Sequence, residues 1–235
     1  RDDVRLWRAV AFAEQRQFSD AAADFSATLL LLEGYPQPFF QRFALLAVES
    51  FIAADDDANA ERVLDVMAKR MGPAVNSMPA VQYLQGVVQA RSGSLGIARK
   101  LWQRAASGTD YLSRARAELA LVDLDVAAEK LPLADAVRRL EGLRFAWRGD
   151  ALELELLSRL AEYQLKLKKP LDALDTFERA KTIFPCIPRE AEISKQQQQI
   201  FRDVFLGQYQ GQYTPLQMLA IYDRFKGLVA ADTPE

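Results

Sequence analysis

A chain of 235 residues that is 50% apolar and 26% charged has the make-up of an ordinary globular protein, neither disordered nor membrane-like. With no histidine and a single cysteine, Cys186, it lacks the side chains for zinc sites, Cys–His nucleophiles and Ser–His–Asp triads, which removes most enzyme classes. A net charge of −2, with acids and bases interspersed, offers no basic stripe for nucleic acid, and no apolar run approaches the ~18 residues that span a bilayer.

In chain order, apolar residues recur at helical spacing in segments divided by breakers. A first helix carries Val4, Leu6, Trp7, Val10 and Phe12. It turns near residues 15–17 into a second helix that holds Ala21 and Phe25 and ends on Leu29 to Leu32, before Gly34-Tyr35-Pro36. The next pair turns at Asp55-Asp56-Asp57 and stops at Gly72-Pro73. A third turns at Ser92-Gly93-Ser94 and stops at Gly108, and a fourth turns at residues 130–132 and stops at Gly149-Asp150. A fifth turns at residues 168–170 and stops at Pro185 to Pro188. Two further helices are expected at 189–209 and 215–229, the second capped by Thr214 with Pro215 at its first position. Strand signals are missing: no Asn-Gly or Asp-Gly hairpin occurs, and Asn59 and Asn76 are the only asparagines. Two sets of breakers interleaved in this way mean a chain of αα-hairpins.

The period can be tested at single positions. Ala21, Ala60, Ala98, Ala136 and Ala173 lie 39, 38, 38 and 37 residues apart. Four residues after each stands a large apolar side chain, Phe25, Leu64, Trp102, Leu140 and Phe177; three further on come Thr28, Met67, Ala105, Leu143 and Ala180. Twelve residues before the alanines stand Ala9, Val48, Gly86 and Ala161, with Leu124 interrupting the series. Small residues let two helices cross closely, and the bulky one a turn later fills the gap to the next hairpin.

These residues resemble the tetratricopeptide-repeat (TPR) family, whose hallmark is a small residue in the first helix, then Ala, a large aromatic, Ala and Pro in the second. The best match is Leu157, Leu160, Ala161, Ala173, Phe177, Ala180 and Pro185; Gly86, Ala98, Trp102 and Ala105 follow, then Ala9, Phe12, Phe18, Ala21 and Phe25. The units around Ala60 and Ala136 are degenerate, and the spacing exceeds the family's period of about 34 residues. The resemblance implies an all-α, right-handed αα-hairpin solenoid of about five TPR-like repeats plus a C-terminal helix pair. Units fall near 2–35, 41–74, 79–112, 113–149 and 150–187, making an array over 1–188, with a capping or divergent pair at 189–235. The wording of residues 147–154 and of Pro215-Leu216-Gln217 is also similar to long, envelope-associated TPR proteins of alphaproteobacteria, which tilts the expected compartment towards the bacterial envelope.

In the TPR family the first helix of each repeat lines a concave groove. Carried over by register, its contact positions are Arg42, Leu45, Glu49, Ile52 and Ala53; Ala80, Tyr83, Val87, Ala90 and Arg91; and Glu155, Ser158, Glu162, Leu165 and Lys166. The core candidates are Leu45, Glu49, Ile52, Tyr83, Val87, Arg91, Ser158, Glu162 and Lys166; packing against the adjacent repeat is the competing role, chiefly for Tyr83 and Ile52. No first helix carries the Asn that, with Lys, clamps a peptide carboxylate, so an apolar or mixed groove for a partner helix or extended segment fits better.

Other motifs read as structure. Asp55-Asp56-Asp57 lacks the spaced ligands of a calcium loop and is expected to be a turn. Arg148-Gly149-Asp150 ends one helix and caps the next, and Ser92-Gly93-Ser94-Leu95-Gly96 lacks the Lys-Ser/Thr that follows a phosphate loop. Cys186 is a small hydrophobe between prolines. The Arg138, Arg139, Arg144, Arg148 and Lys166, Lys168, Lys169 clusters, and the glutamines at 196–199, are expected on wet helix faces. No metal or cofactor is implied. The expected function is a non-catalytic scaffold that holds a protein or peptide partner within a larger assembly; a helical-repeat enzyme accessory or lytic-type enzyme using a single buried carboxylate is the alternative. The chain opens at Arg1 without a methionine or an apolar leader, so it is expected to be a processed or excised piece. Its apolar first helix, Trp7 above all, is expected at an end face that meets an absent repeat or a second copy.

Overall fold

The computed structural model describes residues 2–146, 151–184 and 190–228. Every regular element among them is helical. The helices are α1 (Asp2–Glu14), α2 (Phe18–Ala27), α3 (Leu29–Gly34), α4 (Phe39–Ala53), α5 (Asp57–Met71), α6 (Pro79–Arg91) and α7 (Leu95–Ala106). There follow α8 (Tyr111–Ala127), α9 (Leu133–Ala146), α10 (Ala151–Lys166), α11 (Pro170–Ile183), α12 (Glu190–Leu206) and α13 (Pro215–Phe225). The fold is the all-α helical repeat expected from the sequence. Two compact units divide it, Arg1–Leu124 and Asp125–Glu235. Trp147, the Arg148-Gly149-Asp150 tripeptide and Cys186 lie outside the described residues.

Five hairpins share one turn. Arg16, Asp55, Gly93, Glu129 and Lys168 each take a left-handed backbone, with φ of 61°, 59°, 83°, 54° and 58°. The N–H of the next residue then reaches back over the end of the first helix: Gln17 to Phe12 O, Asp56 to Phe51 O, Ser94 to Gln89 O, Lys130 to Asp125 O and Lys169 to Gln164 O. This Schellman closure satisfies carbonyls that a helix end leaves free. In the Asp55-Asp56-Asp57 turn, Asp56 caps α5 by accepting from the Asn59 N–H at 3.1 Å.

The small-then-large series is the core. Ala9, Ala21, Val48, Ala60, Ala98, Ala136, Ala161 and Ala173 are all fully buried, and Phe25, Leu64, Trp102, Leu140 and Phe177 are buried above them. Leu124 interrupts the series for a local reason. The fourth turn is two residues longer than the others, since α9 starts four residues after its left-handed residue rather than two. The small position is therefore Val122, which is buried, while Leu124 is only half-buried.

Three other expectations are corrected. Leu29 to Leu32 do not end α2: the helix breaks at Thr28, whose hydroxyl donates to Asp24 O at 2.8 Å, and α3 starts afresh. The glutamine run is not wholly wet. Gln197 falls on the same helix stripe as Ile193, Ile200 and Val204, so it is fully buried and donates to Glu178 Oε2 at 3.0 Å. Of the arginine cluster, Arg144 is largely covered, its side chain 13% exposed beside Glu141. The last helix begins as expected, with a capping box in which Thr214 and Gln217 satisfy each other's backbone N–H.

Candidate functional site

Successive first helices present equivalent faces because the left-handed residue fixes where each helix ends. In the first unit, Leu45, Glu49 and Ile52 lie on α4, and Tyr83, Val87 and Arg91 lie on α6. Leu45, Ile52, Tyr83 and Val87 are half-buried, each leaning on the repeat core and keeping part of its surface open. They therefore pack and face solvent at once.

The charged candidates are already engaged. Arg91 donates to Asp57 at 2.8 Å and to Asp55 at 2.5 Å, which ties α6 to the preceding hairpin turn. Glu49 accepts from Arg116 Nη1 of α8 at 2.6 Å, and the Arg116 guanidinium lies 5.8 Å from the Tyr83 ring centroid. One ladder thus runs from α4 past α6 to α8. Arg42 closes a similar contact with Glu14 of α1 at 2.6 Å. Arg116 is a residue the sequence reading misses. Counted from Val122 rather than Leu124 it occupies the register position of Arg42, and the two extra residues of the fourth turn were the available signal.

In the second unit the candidates Ser158, Glu162 and Lys166 sit on α10. Ser158 Oγ donates to Leu154 O of its own helix at 2.9 Å. Glu162 accepts from Lys166 at 2.8 Å and from Arg159 at 2.7 Å, and Lys166's hydrogen bond leads in holding its carboxyl below the usual range. These are contacts within one helix.

Trp7 is turned towards α4. Its indole stands edge-on to Phe43 at 4.9 Å and donates to Tyr35 Oη at 2.9 Å, leaving the residue 45% exposed. Arg5 and Arg8 of the same helix turn instead to a buried carboxylate, Asp24 of α2, which accepts from Arg8 at 2.6 and 2.8 Å and from Arg5 at 2.8 Å. The Arg8 hydrogen bond, aided by Arg5, holds Asp24 below the usual carboxylate range although burial pushes the other way. In the second unit burial lifts Asp175 above that range despite its ion pair with Arg224 at 2.5 Å.

With this geometry in place, two solved structures align over nearly the whole chain. The C-terminal part of a TPR repeat-containing protein from Cytophaga hutchinsonii matches with a TM-score of 0.51 and 12% identity, covering 95% of this chain and 78% of that one. Pseudomonas aeruginosa PilF matches with a TM-score of 0.50 and 12% identity, covering 96% of each chain. The fold is TPR-like. At this identity the likeness is one of fold alone. No protein-family model matches the chain, and no curated protein matches it. Among the described residues, no helix is long and apolar enough to cross a membrane, and no group of three or more His, Cys, Asp or Glu could hold a metal ion.

Proposed function

We propose that this chain is a non-catalytic scaffold that holds a protein or peptide partner on the first-helix face of its repeats. The observation that carries this reading is the repeated half-open apolar surface on α4 and α6, made by Leu45, Ile52, Tyr83 and Val87. The neighbouring charges Glu49, Arg91 and Arg116 are neutralised inside the chain. A face of that kind favours an apolar or amphipathic segment over a charged tail. Residues 189–235 act in this reading as a capping pair, and the larger assembly is one associated with the bacterial envelope.

The catalytic alternative needs a carboxylic acid held neutral in a protected site. Asp24 is held ionised by two arginines, and Asp175, though burial raises it, is not enclosed: its side chain is 42% exposed and paired with Arg224. Neither favours it.

Affinity capture with crosslinking from the native organism tests the scaffold. Tyr83→Ser together with Val87→Lys should lose the captured partner while keeping wild-type helicity. Arg91→Glu is unsuited to this purpose, because it would set like charge against Asp55 and Asp57. Undiminished capture by the double variant would move the binding surface off these helices.

A further inference from the structure

Among the described residues of the second unit, exposed large apolar side chains gather on α13. Only Ile221 and Phe225 of that helix are buried. Leu216, Leu219 and Tyr222, spaced i, i+3 and i+6, are 77%, 64% and 47% exposed. Tyr222 borders α12, where Phe205 stands edge-on to it at 6.3 Å. An isolated exposed leucine such as Leu30 needs no explanation, whereas a contiguous ridge marks a contact surface.

We propose that this ridge is a self-association surface, on which α13 of one copy packs against α13 of a second. Charge is the first argument. Asp223 is paired with Lys226 at 2.8 Å and Arg224 with Asp175 at 2.5 Å, so turning the ridge on itself opposes no unpaired like charges. Among the described residues, the charges beside the ridge are already engaged, which disfavours a charged partner segment. Ala220, exposed on the same side, lets two helices approach closely. Area is the second argument. At about 100 Å² for each of Leu216, Leu219 and Tyr222, two copies would cover on the order of 600 Å² of apolar surface. That falls short of the apolar share, near 65%, of a specific interface at the lower size limit of about 1,200 Å², in the range of weak contacts. The pairing is therefore a weak, concentration-dependent dimer. It is independent of the first-helix face proposed above and of the end-face contact expected at Trp7.

Sedimentation velocity of the full chain over a broad concentration range tests it. The wild type should pass from monomer to dimer, and Leu219→Glu should raise the dissociation constant at least about tenfold, with helicity retained. Leu216→Gln, a milder change, should act in the same direction, and Leu30→Glu should have no effect. In a Cys186→Ser background, Ala220→Cys should form an intermolecular disulfide on oxidation. A wild type that stays monomeric at every concentration overturns the proposal, as does a dimer indifferent to Leu219→Glu. So does a chain shortened after Leu228 that dimerises when the full chain does not, for then residues 229–235 are the occupant. Capture of the partner by the first unit should be unaffected by Leu219→Glu, so the two proposals fail separately.

Discussion

Glycines 86 and 142 occupy helices yet call for opposite outcomes. A Cβ on Gly86 would stand 2.4 Å from Trp102 Nε1 and 2.5 Å from Cδ1. The indole cannot recede freely, because its Nε1–H donates to Tyr83 O at 3.1 Å. Gly86→Ala should therefore cost about 1–3 kcal/mol by overpacking. Gly142, inside α9 with nothing within 4 Å of its would-be Cβ, should gain about 0.5–1 kcal/mol on becoming Ala. Urea denaturation of the two variants decides it; equal effects would mean that Trp102 does not need the gap. Asp24 gives a pH signature. Its folded pKa is lowered, so its contribution is complete above the unfolded value near 4 and fades as pH falls through and below that range. Asp24→Asn should cost about 1–2 kcal/mol at neutral pH and leave a flatter stability profile between about pH 5 and 3. Parallel profiles for the two proteins would assign the acid sensitivity to other carboxylates.

The hairpin turn is the element that repeats most faithfully. Only Gly93 meets its left-handed demand without a Cβ; Arg16, Asp55, Glu129 and Lys168 adopt the same conformation at a cost of about 1 kcal/mol each. Gly93→Ala should accordingly destabilise by about 1 kcal/mol, whereas Lys168→Gly should be neutral or mildly stabilising, the relieved backbone offsetting the freer unfolded chain. Thermal melts of both test this, and a stable Gly93→Ala would break the equivalence of the five turns. This element also marks how far the sequence could be read. Alanine, aromatic and breaker spacing is a local code, so the helix pairs and their core were legible. The break at Thr28 depends on one hydroxyl turning back to its own helix. The burial of Gln197 depends on Glu178 of a neighbouring helix, which local spacing does not display. The placement of the candidate face was half legible: register put Leu45, Glu49, Ile52, Tyr83, Val87 and Arg91 on α4 and α6. Arg116 was hidden by two extra residues in one turn.

Across the first unit, the Glu49–Arg116 pair sets a limit on treating the repeats as nearest neighbours. In an ideal stack each unit contacts only the next, and its stability is a sum of intrinsic and adjacent terms. Here α4 of the second repeat and α8 of the fourth, 67 residues apart, meet at 2.6 Å. Tyr83 of the intervening α6 lies beneath the guanidinium. The two side chains are only 21% and 27% exposed, so water screens the pair less than a free surface bridge. A double-mutant cycle with Glu49→Ala, Arg116→Ala and both together should return a coupling of about 1 kcal/mol in urea denaturation, reduced in high salt. Strictly nearest-neighbour stacking predicts none. Tyr83→Leu should lower that coupling without abolishing it, because the ring's attraction for the guanidinium is lost while the ion pair remains. A coupling indistinguishable from zero would make the contact incidental and restore nearest-neighbour stacking. A coupling that survives in high salt would instead point to packing of the arginine stem on Tyr83 as its main source.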